Sequence, residues 1–115
     1  MVTIYHNPRC SKSREALALI TARGISPTVI PYLDTPPDAA TLKSLLKALG
    51  LSARELLRTQ EEEYLTLGLD SLERSEAEII AAMAAHPRLM ERPIVVVGDR
   101  AVIGRPPENV LGLLP

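Results

Sequence analysis

The stretch Val2-Thr3-Ile4-Tyr5-His6-Asn7-Pro8-Arg9-Cys10-Ser11-Lys12-Ser13 decides how this chain is read. Residues 2–5 are β-branched or aromatic and predict a short strand. His6-Asn7-Pro8 breaks it, because proline confines the residue before it to extended backbone. From Ser11 the period changes. Ala16, Leu17, Leu19 and Ile20 form an apolar helical stripe, and Gly24 is a C-terminal stop. The order is strand, turn, helix, with Cys10 at the helix entry. Cys10 is the only cysteine in 115 residues.

Working outward, Thr28 to Tyr32 reads as a second strand, with Pro31 marking an edge or an end. Strand, helix and strand make a βαβ unit, which favours a parallel pair with a right-handed crossover. The middle is helical. Thr35-Pro36-Pro37 marks a start, Leu42, Leu45, Leu46 and Leu49 form a face, and Gly50 ends it. Ser52-Ala53-Arg54-Glu55 and Ser75-Glu76-Ala77-Glu78 are capping boxes. Glu61 to Glu63 reads as a solvated first helical turn, where carboxylates suit the dipole. Ile79, Ile80 and Met83 continue the last helix until His86-Pro87. Ile94 to Val97 is the strongest strand, Gly98-Asp99 a two-residue turn, and Ala101 to Ile103 the return strand. Arg105-Pro106-Pro107 precedes a helical tail with Val110, Leu111 and Leu114. These elements predict an α/β, thioredoxin-like fold: a four-stranded mixed sheet (βαβ + ββα) with a helical segment inserted between the second and third strands. With no repeat, linker or low-complexity segment, one domain over residues 1–115 is expected.

Composition narrows the function classes. Hydrophobic residues make up 46% of the chain, so a packed core is expected. Aromatics are 3%, all tyrosine, which disfavours base stacking on single strands. The net charge of −1 provides no global field for nucleic acid or anionic lipid. One cysteine and two dispersed histidines exclude a disulfide framework and make a poor metal site. A lone thiol fits a reducing cytoplasm. No signal-peptide pattern and no membrane-length apolar run is visible.

Cys10 lies among Asn, Arg, Ser and Lys at a helix N-terminus, near the charges of Arg9 and Lys12. Each of these features lowers a thiol pKa, and the thiolate is the reactive form. Ser13 completes a Cys-x-x-Ser motif. Its hydroxyl can donate to the thiolate or cap the helix, as Ser11 also can, and spacing does not separate them. His6, as an imidazolium, can lower the thiol pKa directly or through the loop. His86 reads as structural. Arg58, Arg92 and Arg105 sit at element edges and together offer planar donors for a tetrahedral oxyanion. Arg92-Pro93 admits a cis peptide. A phosphatase-type Cys-x5-Arg loop is absent, because its arginine would fall at Ala16.

These residues resemble the glutaredoxin-dependent arsenate reductases, the ArsC family of thioredoxin-like proteins, over nearly the whole chain. The resemblance rests on Ile4 to Cys10, Tyr32-Leu33-Asp34-Thr35-Pro36-Pro37, Leu56-Leu57-Arg58, His86-Pro87, Arg92-Pro93-Ile94-Val95-Val96 and Gly104-Arg105-Pro106. It implies that Cys10 is the catalytic cysteine and that His6 lowers its pKa. It also implies that Arg58, Arg92 and Arg105 hold the oxyanion, and that Pro93 is a cis proline. The implied reaction reduces arsenate to arsenite, with glutathione as co-substrate, glutaredoxin as partner and no bound cofactor. The expected protein is a cytoplasmic monomer. Where plasmid-type members read Cys-Gly-Thr-Ser, this chain reads Cys10-Ser11-Lys12-Ser13. The residues also admit a monothiol thioltransferase, a reductase of another oxyanion, or a redox-sensing regulator that binds RNA polymerase. Regulators of that kind carry a second cysteine where Ser13 stands.

Overall fold

In a computed structural model that describes all 115 residues, β1 (Val2–Tyr5) is the strand every other strand is ordered around. It pairs in parallel with β2 (Thr28–Ile30) and antiparallel with β3 (Ile94–Val97), which pairs antiparallel with β4 (Arg100–Ile103). The order is β2-β1-β3-β4. The sheet, α1 (Ser11–Ala22) and a C-terminal 3-10 helix (Pro107–Gly112) form one compact unit, residues 1–35 with 92–115. Residues 36–91 form a second. The four-stranded mixed sheet agrees with the reading of the sequence. The tail, read as helical, is 3-10 rather than α.

The core of the first unit follows from the strand period of two and the helix period of 3.6. Val2 and Ile4 point from β1 to one face, Val95 joins them from β3, and Ala16 and Ile20 come from α1. Val110 of the tail completes the cluster, and all six residues are nearly or wholly buried. Burying a Val or Ile side chain stabilises the fold by about 1.5–3 kcal/mol. This one face therefore secures both α1 and the tail.

The register places the loops. Thr3↔Thr28 through Tyr5↔Ile30 aligns β1 with β2, and Tyr5↔Ile94 and Ile94↔Ile103 continue the row. Ile30, Tyr5, Ile94 and Ile103 thus lie in line across one end of the sheet. The loop to Cys10 leaves from that row, Arg92 enters two residues before it, and Arg105 leaves two residues after it. The Arg92–Pro93 and Arg105–Pro106 peptides are both cis. The first was a candidate from sequence; nothing singled out the second.

In the second unit, α2 (Ala39–Leu49) is capped by Asp38 and ended by the left-handed Gly50. Both capping boxes form, at α3 (Ala53–Leu56) and at α5 (Glu76–Ala85). The Glu76 carboxylate also accepts the Ala53 N–H, tying α5 to the start of α3. Leu42, Leu45, Leu46, Leu56, Ile79, Ile80 and Met83 are buried. Glu61 to Glu63 do begin a helix, α4 (Glu62–Thr66), but that turn is not simply solvated. Glu61 takes ion pairs from Arg58 and Arg88, and its side chain is only 16% exposed.

Gly104 sits where β4 passes Pro93. Its N–H donates to the Pro93 carbonyl at 2.9 Å, and a Cβ added there would lie 2.8 Å from Pro93 Cγ. Gly104→Ala is therefore expected to lower stability by about 1–3 kcal/mol, the usual cost of overpacking. The urea midpoint measures it, and an unchanged midpoint would show that Pro93 yields freely.

Candidate active site

Cys10 is the N-cap of α1, in extended backbone, and is 8% exposed. No side-chain oxygen caps this helix. The first-turn N–H groups instead act on the sulfur. Burial raises the thiol pKa, but it is outweighed by the Ser13 N–H, by hydrogen bonding and charge from Arg92, and by the Lys12 N–H. The net result is a thiol pKa below its ordinary value. A second guanidinium also reaches the sulfur: Arg105 Nη2 donates to Cys10 Sγ at 3.4 Å. Arg105 is braced by its own Nε, which donates to the Arg92 carbonyl at 2.7 Å. Asn109 Nδ2 in turn donates to the Arg105 carbonyl at 3.0 Å. The tail helix thereby steadies the arginine loop.

Ser13 is the one buried polar residue of the chain. Its hydroxyl neither caps the helix nor reaches the sulfur. It lies 2.6 Å from His6 Nδ1 and accepts the Asn7 N–H at 3.0 Å. Cys10 N donates to the Asn7 carbonyl at 3.0 Å, closing the loop on itself. Ser13 therefore acts twice, with its side chain setting the loop and its main-chain N–H on the sulfur. His6 is held below its ordinary pKa by burial and by the Arg14 guanidinium. Both influences favour the neutral imidazole, whose Nδ1 is bonded to Ser13, over the imidazolium. Arg9 and Lys12 differ from expectation too. Arg9 is exposed, and Lys12 turns toward Glu15 at 3.8 Å. Lys12 contributes its backbone N–H rather than its charge.

The structure thus brings together Cys10, His6, Ser13, Arg92 and Arg105 within one unit. Arg58 belongs to residues 36–91. There the Leu57↔Met90 bridge and the Arg58 N–H to Leu89 carbonyl bond (2.7 Å) hold its backbone. Its guanidinium pairs with Glu91 at 3.1 Å and Glu61 at 3.6 Å. Sequence reasoning missed both carboxylates: Glu61 is three residues on but lies with Arg58 between α3 and α4 rather than within one helix, and Glu91 is 33 residues away. Arg92 Nε, like Arg58 Nε, is buried with no hydrogen-bond partner, but Arg58 Nε has the Glu61 carboxylate 3.6 Å away and Arg92 is in no ion pair. Leaving such a donor unmatched costs about 1–3 kcal/mol, so the site favours an acceptor ligand. A thiolate, two guanidinium groups and helix-start N–H groups suit attack on a bound anion. No group of three or more His, Cys, Asp and Glu side chains is placed to hold a metal.

The ArsC family model matches residues 5–113. An uncharacterised Escherichia coli K12 protein, YfgD, is 57% identical over 98% of this chain and 96% of its own. The arsenate reductase of Haemophilus influenzae is 50% identical, covering 98% of each chain. A solved structure of an arsenate reductase from Vibrio cholerae superposes with a TM-score of 0.96 at 53% identity, covering 98% of this chain and 97% of that one.

The thiol shift is open to direct measurement. Because the folded pKa is lowered, the thiolate fraction, and with it the alkylation rate, rises through a midpoint below the free-thiol value of about 8.5. Arg92→Ala is expected to move that midpoint up. Ser13→Ala should move it less, because the main-chain N–H remains. Its cost appears as lost stability of about 1–3 kcal/mol from the orphaned Asn7 N–H. A wild-type midpoint at or above about 8.5 would refute an activated Cys10.

Proposed function

The chain belongs to the ArsC family, and we propose on that premise that it reduces arsenate to arsenite through the Cys10 thiolate, with glutathione and glutaredoxin as external thiols. The observation that carries the reading is the buried Arg92 Nε with no acceptor, beside a sulfur that already holds the Arg105 guanidinium. A tetrahedral oxyanion supplies the missing acceptor and brings its central atom to the nucleophile.

Each step follows from these groups. Cys10 thiolate attacks As(V) of hydrogen arsenate, an S–As bond forms, and one oxygen leaves as water after taking a proton. Arg92 and Arg105 carry the negative charge that stays on the arsenate oxygens. Glutathione thiolate then attacks the Cys10 sulfur. An S–S bond forms, the S–As bond breaks, and its electron pair leaves with arsenic. Arsenic is thereby reduced to As(III), which picks up protons as arsenite, and the two sulfurs are oxidised to the mixed disulfide. Glutaredoxin thiolate attacks the glutathione sulfur and releases Cys10 as thiolate. A chain with one cysteine cannot close this cycle alone, which is why both reductants are external.

The coupled assay contains arsenate, glutathione, glutaredoxin and NADPH with glutathione reductase. Wild type is expected to consume NADPH with arsenate, and Cys10→Ser is not. Equal rates for the two would overturn the reading. Arg92→Ala and Arg105→Ala should each cost on the order of 2–5 kcal/mol in kcat/KM, as expected when a buried, paired charge contact is cut. Arg58→Ala should cost less, because Glu61 and Glu91 already offset its charge.

A further inference from the structure

A cleft of about 280 Å³ opens beside the catalytic loop, lined by His6, Asn7, Pro8 and Arg9 on one side and Pro31, Leu33 and Asp34 on the other. Its walls are the segments that follow β1 and β2. The His6 N–H donates to the Ile30 carbonyl at 2.8 Å and holds them together. The Pro31 carbonyl accepts the Asp34 and Thr35 N–H groups, both at 2.9 Å, so the second wall is a closed turn. The cleft thus stands outside the carboxyl ends of two parallel strands, the usual place for a ligand in α/β sheets. The oxyanion chemistry does not use it, since Arg92 and Arg105 are not among its lining residues.

Its chemistry is mixed in a specific way. Arg9 and Asp34 carry opposite charges on its rim, and neither takes part in any ion pair of the structure. Pro8 and Pro31 are exposed, and Leu33 is one of few large apolar side chains left in solvent. A ligand that matches this surface presents a carboxylate to Arg9, an ammonium to Asp34 and a short, weakly polar stem between them. A peptide zwitterion has that pattern; an inorganic oxyanion does not. Arg9 immediately precedes Cys10 in the chain, so this cleft wall is continuous with the loop that carries the sulfur.

We propose that this cleft is the binding site for the peptide portion of the thiol reductant, glutathione, with Arg9 and Asp34 as its recognition charges. This rests on the reading of Cys10 as a thiol that needs an external reductant. His6 lies in the cleft wall and bonds Ser13, so an occupied cleft also touches the residue that sets the Cys10 loop.

The test uses S-methylglutathione, which keeps the charges and lacks a reactive thiol. It is titrated into the full chain and followed by amide NMR. Shifts are expected at His6, Asn7, Arg9, Leu33 and Asp34. Arg9→Glu and Asp34→Lys are each expected to weaken binding about fivefold to tenfold, the scale of an exposed charge contact and its reversal. Arg23→Glu, a charge reversal at the far end of α1, should leave it unchanged. In the coupled assay the same two variants should raise KM for glutathione by that factor while KM for arsenate holds. Absence of binding at millimolar analogue, shifts centred on Arg92 and Arg105 instead, or wild-type affinity in both reversal variants would overturn the proposal. Intact analogue binding without any arsenate reduction would sink the arsenate reading and leave the peptide site standing.

Discussion

The pairing of Tyr5 with Ile94 and of Ile94 with Ile103 is the constraint on which the site depends. A strand pair can slip only by whole residues, and a slip of one turns every side chain to the other face. Here Val2, Ile4 and Val95 must all face α1 and the tail, so the hydrophobic core holds the register. Once it holds, Cys10, Arg92 and Arg105 emerge at one end of the sheet without further specification. Gly104 belongs to the same constraint. Its missing side chain lets β4 leave the sheet against Pro93 and Ala16, on the way to Arg105.

Charge at the sulfur is a contest that burial alone would lose for the thiolate. Desolvation is the largest single influence and favours the neutral thiol. Several smaller donors outweigh it together: main-chain N–H groups at the start of α1 and the guanidinium of Arg92. The N–H groups come with the helix and need no side chain. This explains how Ser11-Lys12 can follow Cys10 while the lysine charge is directed at Glu15. Ser13 is freed from capping and holds the loop through His6 and Asn7.

The three arginines are not equivalent. Arg105 is fixed by the Arg92 carbonyl and by the sulfur, Arg92 keeps a buried donor open, and Arg58 is offset by two carboxylates. An arginine outside any ion pair gains the most from an anionic ligand. One already paired must first give up its partners, and the gain is smaller.

Local chemistry was legible in the chain itself. β-branched runs gave the strands, capping boxes and glycine stops gave the helix ends, and the lone Cys10 at a strand-to-helix turn marked the candidate nucleophile. These features act over a few residues, so their physics is written in adjacent letters. What only the tertiary structure decided lies between distant residues. It directed the Ser13 hydroxyl to His6 rather than to Cys10, and drew Arg105 across 95 positions to the sulfur. It set Glu91 on Arg58, and it opened a charged cleft between two turns that the sequence keeps apart. Such partners are selected by sheet register and core packing, which bring together residues whose spacing along the chain carries no period.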